Sequence, residues 1–137
     1  MRKVVLMTAV ACAITAPTAL AGSPTSSAKF WQNRAHSATC GKRIDQKTFQ
    51  LLCSAKGTPR PTTGNQGGDP FVVLRRRGKP ELVLLTQREF PTGNPKTLPN
   101  GSIWEKHGIT CTVAHKVTCT NESGHGFTIG KGKYRSF

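Results

Sequence analysis

The sequence predicts a mainly β fold: a small antiparallel β domain stapled by disulfides, arranged as two layers or as a partly open barrel. Three observations carry this expectation. Ile109, Cys111, Val113, Val117 and Cys119 alternate with Thr110, Thr112, Thr118 and Thr120, the period-two pattern of half-buried strands. Short apolar runs, Phe71-Val72-Val73-Leu74 and Glu81-Leu82-Val83-Leu84-Leu85-Thr86, flank Arg75-Arg76-Arg77-Gly78-Lys79-Pro80, which reads as a basic turn. No stretch beyond the N-terminal leader repeats apolar residues at helical spacing.

The leader is Met1-Arg2-Lys3, an apolar run from Val4 to Ile14 and the small-x-small tripeptide Ala19-Leu20-Ala21. This is the layout of a secretory signal peptide cleaved after Ala21, with an apolar core too short for a typical membrane span. Cys12 would leave with it, and Cys40, Cys53, Cys111 and Cys119 would remain. An even number of cysteines in an exported chain predicts two disulfides. Three pairings are possible. The local one, Cys40–Cys53 with Cys111–Cys119, is favoured because each pair brackets a candidate hairpin. Loops this short would each contribute about 2–3 kcal/mol. No C-x-x-C spacing is present, so a zinc site is not expected, nor any other metal or cofactor.

After the leader, residues 22–29 are small and polar and are expected to form a flexible lead-in to a single domain over 30–137. Phe30-Trp31 would open the folded part at the edge of the core. Residues 48–53 read as a strand, and 57–69 as a loop rich in Gly and Pro with no apolar anchor, long enough to be mobile or functional. The unbroken apolar runs at 71–74 and 81–86 predict a hairpin buried on both faces, a helix over 82–88 being the alternative. Pro91, Gly93, Pro95, Pro99 and Gly101 make the next segment irregular, with Ile103-Trp104 packing from it onto the core. The two cysteine segments read as loose repeats of one device: a strand, a basic tip and a strand, stapled across.

The formal net charge of +14 points to anionic partners: nucleic acid, acidic lipid or an anionic cell-wall polymer. Two groups of cations are candidates for such contacts. Arg75, Arg76, Arg77 and Lys79 cluster on one hairpin tip. Lys131, Lys133 and Arg135 alternate with Gly132 and Tyr134, so an extended tail would put all three on one face. Few aromatics are available for base stacking, so sequence-specific reading of nucleic acid is not expected.

The C-terminal residues resemble a known family. Leu98-Pro99-Asn100-Gly101-Ser102-Ile103-Trp104, Ile109-Thr110-Cys111, Val117-Thr118-Cys119-Thr120-Asn121-Glu122-Ser123-Gly124-His125-Gly126-Phe127 and the closing Tyr134 to Phe137 are similar to a family of small exported bacterial proteins. That family is best known from actinobacteria and is described as a domain of unknown function. Its members carry a signal peptide, a cysteine-bearing segment near each end and the ending Cys-x-Asn-x-Ser-Gly-His-Gly-Phe. In place of the family's Ser-Pro-Ser-x-Asn-Ile segment before the first cysteine, this chain has Gln32 to Thr39. The resemblance implies an exported, disulfide-bonded, β-rich protein and brings no catalytic residues.

Gly124-His125-Gly126-Phe127 is the sharpest local pattern, read as a structural turn whose histidine bonds local backbone. A hydrolytic reading would recruit His125, His107, Glu89, Glu105 and Arg75, with nothing in their spacing to select them. No G-x-S-x-G, Walker A or H-E-x-x-H motif is present. The expectation is therefore a secreted, monomeric, non-enzymatic binding protein of the envelope or extracellular space, recognising an anionic polymer or surface. The alternatives are an inhibitor or effector that binds a protein through residues 75–79, and a small secreted phosphodiesterase or ribonuclease.

Overall fold

Two meanders of antiparallel strands, each introduced by one short strand, make up the chain. A computed structural model describes residues 25–62 and 67–137; the expected signal peptide and part of the 57–69 loop lie outside the described residues. The first half comprises β1 (Thr25–Ser26), β2 (Phe30–Asn33), β3 (Thr39–Lys42), β4 (Gln50–Ser54), β5 (Asp69–Arg75) and β6 (Glu81–Leu85). The second comprises β7 (Lys96–Leu98), β8 (Ser102–Lys106), β9 (Ile109–Val113), β10 (Val117–Thr120), β11 (Gly126–Gly130) and β12 (Lys133–Ser136). They form two six-stranded sheets, ordered β1-β8-β9-β10-β11-β12 and β6-β5-β4-β3-β2-β7. Each half therefore lends its first strand to the other half's sheet. These two loans, β1 beside β8 and β7 beside β2, are parallel, and every other pairing is antiparallel.

The halves match residue by residue across the strands. In one sheet Trp31 lies opposite Cys40, Cys40 opposite Cys53, and Cys53 opposite Val72. In the other, Trp104 lies opposite Cys111, Cys111 opposite Cys119, and Cys119 opposite Phe127. Both disulfides form as the local pairing expects, Cys40–Cys53 and Cys111–Cys119, each joining facing residues of neighbouring strands. Cα separations of 4.1 and 4.0 Å suit the closely spaced positions of an antiparallel ladder.

These rows face each other and form the core. Trp31 and Trp104 meet with ring centroids 5.7 Å apart, and Leu51, Val72, Leu74, Ile109, Val113, Val117, Phe127 and Ile129 close around them. The period-two reading of the second cysteine segment holds: in β9 the apolar residues are buried and both threonines exposed. Sheet β6-β5-β4-β3-β2-β7 is covered on its other face too. Leu52, Phe71, Val73 and Leu85 pack there beneath Phe90, whose ring contacts Phe30 and Phe71 at 5.3 and 5.0 Å. The segment joining the halves supplies this lid, which explains why β5 reads as an unbroken apolar run.

Several sequence expectations are corrected. The lead-in is partly structured: Thr25-Ser26 is paired, and the Ala28 carbonyl accepts a bond from Trp104 Nε1 at 2.8 Å. Of Phe30-Trp31, expected at the edge of the core, Phe30 is half-buried, whereas Trp31 has no exposed surface. Trp104 belongs to a regular strand rather than an irregular connection. Residues 82–88 are not helical: β6 ends at Leu85, and only a one-turn 3-10 segment, Gln87–Glu89, follows. Most consequentially, the C-terminus is not one extended tail. It turns back at Lys131-Gly132, where both residues have positive φ (51° and 71°), so Phe127 and Ile129 lie on a different strand from Lys133 and Arg135.

The likeness of the halves breaks at the tryptophans. Trp104 Nε1 has its Ala28 acceptor, whereas Trp31 Nε1 is buried without one. Trp104→Phe and Trp31→Phe remove similar volume, but only the first also breaks a hydrogen bond. Urea unfolding should find Trp104→Phe less stable than Trp31→Phe by about 1 kcal/mol; equal losses would remove this bond from the account.

Candidate anion-binding site

The correspondence between halves extends to the turns and creates two poles of the same construction. At the first, the β5–β6 tip meets the β10–β11 turn. At the second, the β11–β12 tip meets the start of the β4–β5 loop. The poles lie at opposite ends of β10 and β11, because each of these strands runs from one to the other. Each also carries a histidine from the tight turn after the half's second strand, in the left-handed conformation: His107 (φ 49°) at the first and His36 (φ 53°) at the second.

The first pole is pinned by Asn121. Its Nδ2 donates to the carbonyls of Arg75 and Gly78 at 3.0 and 2.7 Å, tying one sheet's turn to the other's. Its Oδ1 accepts from Ser123 N, Ser123 Oγ and His125 N. Ser123 Oγ in turn accepts from Gly78 N. The 75–79 tip is thus docked on the neighbouring turn rather than protruding. Its charge is also partly countered, two carboxylates against four cations: Arg75 pairs with Glu81 at 3.1 Å, and Glu122 receives Arg76 Nε at 2.8 Å and Arg77 Nε at 3.5 Å. The Arg76 hydrogen bond, with a smaller contribution from Arg77, holds the Glu122 carboxyl below its ordinary value. Lys79 sits exposed on the same tip.

The Gly124-His125-Gly126-Phe127 motif is architectural. Gly126 exchanges backbone hydrogen bonds with Phe137 at 2.9 and 3.0 Å, and a Cβ there would overlap the Cys119 carbonyl oxygen. His125 Nδ1 lies 3.3 Å from the Phe137 oxygen, and Phe127 fills the core. Of the hydrolytic candidates, His107, stacked on Phe49, shares one concavity with Arg75, whereas Glu89 pairs with Arg43 at 2.7 Å beside the lid and His125 faces the last residue. Among the described residues no group of three His, Cys, Asp or Glu could hold a metal ion.

The second pole is different in charge. Gly57 and Gly132 touch backbone to backbone: a Cβ on Gly57 would come within 2.7 Å of the Gly132 Cα. Around this contact lie two adjoining concavities of about 550 and 570 Å³. Lys56, Lys116, Lys131, Lys133 and Arg135 line them, with His36 on the rim, and no carboxylate does. None of these five cations takes part in an ion pair among the described residues. Burial raises the Tyr134 phenol above its ordinary value, so it presents a neutral hydroxyl beside them. A second buried asparagine braces this end. Asn33 Nδ2 donates to the carbonyls of Ala114 and His115 at 2.9 and 3.1 Å and to Ser37 Oγ at 2.8 Å.

The structure therefore brings Lys131, Lys133 and Arg135 together, though by a hairpin. It places Arg75, Arg76, Arg77 and Lys79 at the far end. Lys56, Lys116 and His36 were missed as site residues in the sequence, where none stands in a run of cations. The signal that could have found them was the repeat itself, since aligning the two tryptophan–cystine rows superposes the two basic tips.

Fold and site together define a disulfide-stapled β-sandwich of two like halves with an uncountered basic pole. No protein-family model matches the chain, and no curated protein or solved structure is significantly similar to it.

Glu122→Gln tests the charge assignment at the first pole. Because the folded-state pKa is depressed, the Glu122 contribution to stability is present above the ordinary value of 4.5 and is lost as pH falls through the lower folded value. Chemical unfolding across this range should find the variant weaker near neutrality and equal to the parent under strongly acidic conditions. A pH-independent difference would contradict the pairing.

Proposed function

We propose that the protein is an exported, monomeric binding protein that holds an anionic polymer at its second pole through Lys56, Lys116, Lys131, Lys133 and Arg135. One observation carries the reading. The fold builds the same turn-on-turn device twice, and where the first copy receives a carboxylate, Glu122, the second receives a lysine, Lys56. Five like charges without a counter-ion destabilise one another, so such a cluster is favoured when an anion occupies it. Lysines, as mobile point charges, suit a polymer of repeating phosphate or uronate groups better than one fixed small ligand. Tyr134 is the one phenol or indole ring in the lining, too few for a run of stacked bases, which favours a backbone-tracking, sequence-indifferent contact.

Export is supported by the leader, by the likeness of the C-terminal residues to the exported actinobacterial-type family, and by two disulfides, which persist in oxidising compartments. No helix among the described residues is long and apolar enough to cross a membrane. On this reading the chain is cleaved after Ala21 and acts at or outside the cell envelope.

The test is a titration of labelled linear polyphosphate into the oxidised protein at several salt concentrations. Affinity should fall steeply as salt rises. Lys133→Glu with Arg135→Glu should weaken binding at least tenfold and flatten the salt dependence by about one unit or more of log–log slope. Arg76→Glu with Arg77→Glu should do less than half as much. Equal effects from the two pairs, or no binding at low salt, would overturn the assignment to the second pole.

A further inference from the structure

The first pole, although partly charge-compensated, carries a feature that the second lacks. A column of aromatic rings runs outward from the core. Trp31 contacts Trp104, Trp104 stacks with Phe49 at 6.2 Å, and Phe49 stacks with His107 at 4.6 Å and an interplanar angle of 28°. Exposure rises along it, from Trp104 in the core through half-buried Phe49 to exposed His107. The column ends in a concavity of about 400 Å³ lined by Thr48, Phe49, His107 and the three arginines. That volume is in the range of small-molecule pockets.

The arginines there are held rather than consumed. Glu122 lies 2.8 Å from the Nε of Arg76 and 3.5 Å from the Nε of Arg77, and their side chains remain 66% and 78% exposed. A guanidinium has five N–H donors, so one shared carboxylate cannot occupy them all, and both arginines keep donors for a planar oxyanion. Glu122 also lies over the His107 turn: a Cβ on Gly108 would come within 2.7 Å of Glu122 Oε1. One carboxylate thus sets the arginine pair beside the imidazole. Arginine forks and a stacked ring select a discrete, flat, anionic ligand, in contrast to the lysines of the other pole.

We infer that this concavity binds a flat ring bearing an anionic group, either phosphate or carboxylate. The ring extends the aromatic column over His107, and the oxyanion is received by the forks of Arg76 and Arg77. The site is independent of the polymer reading, because it shares no residue with the second pole.

The experiment uses the full oxidised protein, with backbone amide chemical shifts followed during titration with phenyl phosphate, benzoate, inorganic phosphate and acetate. At least one ring-bearing anion should bind tenfold or more tightly than its ring-free counterpart, with shifts centred on Phe49, Arg76, Arg77 and His107. Phenyl phosphate alone passing would assign the site to phosphate esters, and benzoate alone would assign it to carboxylates. His107→Asn keeps a residue tolerant of positive φ and removes the imidazole; it should abolish the tenfold preference. Arg76→Gln with Arg77→Gln should abolish binding of the ring-bearing anion, with thermal unfolding confirming that both variants fold. The inference is overturned if neither ring-bearing anion exceeds its counterpart, if the preference survives His107→Asn, or if the shifts centre on Lys131 and Lys133.

Discussion

Everything in this fold depends on the contact of Trp31 with Trp104, backed on each side by a cystine. The two tryptophans, at 5.7 Å, are the only aromatic pair among the described residues that joins the second strands of both halves. Behind each ring a disulfide locks the next two strands in register, so a slip that would move the apolar face outward is blocked covalently. A chain this small buries a modest core, and two staples contributing about 2–3 kcal/mol each are a large fraction of the usual 5–15 kcal/mol of net stability. Neither half can close alone, because each sheet takes its parallel edge strand from the other half.

The same reciprocity builds the poles. Asn33 and Asn121, both buried, each satisfy backbone carbonyls of a turn in the opposite sheet. A buried amide that lost those partners would carry an unmet desolvation cost, so each asparagine fixes one turn against another. Because the tips are equivalent, the charge on the turn that receives them decides what each pole can do. Glu122 partly offsets the arginines of the first, whereas Lys56 adds a further cation to the second.

Much of the fold was legible in the sequence because its signals are local. Alternation with threonine marked β9 and β10, the short spacing within each cysteine pair marked the staples, and the apolar runs marked β5 and β6. The site was less legible. The cations at 131, 133 and 135 were found, but period-two reading assumed an extended chain. The reversal rests on a positive φ at Lys131, a residue type that does not advertise it. The 75–79 tip looked like the freest charge, yet its neutralising partner, Glu122, is distant in sequence and reaches it only through the sandwich. Lys56 belongs to the site through contacts between halves and Lys116 through the pairing of β10 with β11, neither of which composition encodes.

Construction across halves also couples binding to folding. The second pole takes Lys56 and His36 from the first half, and Lys116, Lys131, Lys133 and Arg135 from the second. It therefore exists only when the sandwich is closed. Closure brings five like charges together at a repulsive cost, and under the proposed function a bound polyanion would relieve it, ligand and fold stabilising each other by linkage. Reduction of the cystines acts in the opposite sense. Each cystine joins neighbouring strands of one sheet, so its loss withdraws a covalent contribution from both rows that build the core and lowers the stability of the closed sandwich on which the basic cluster depends.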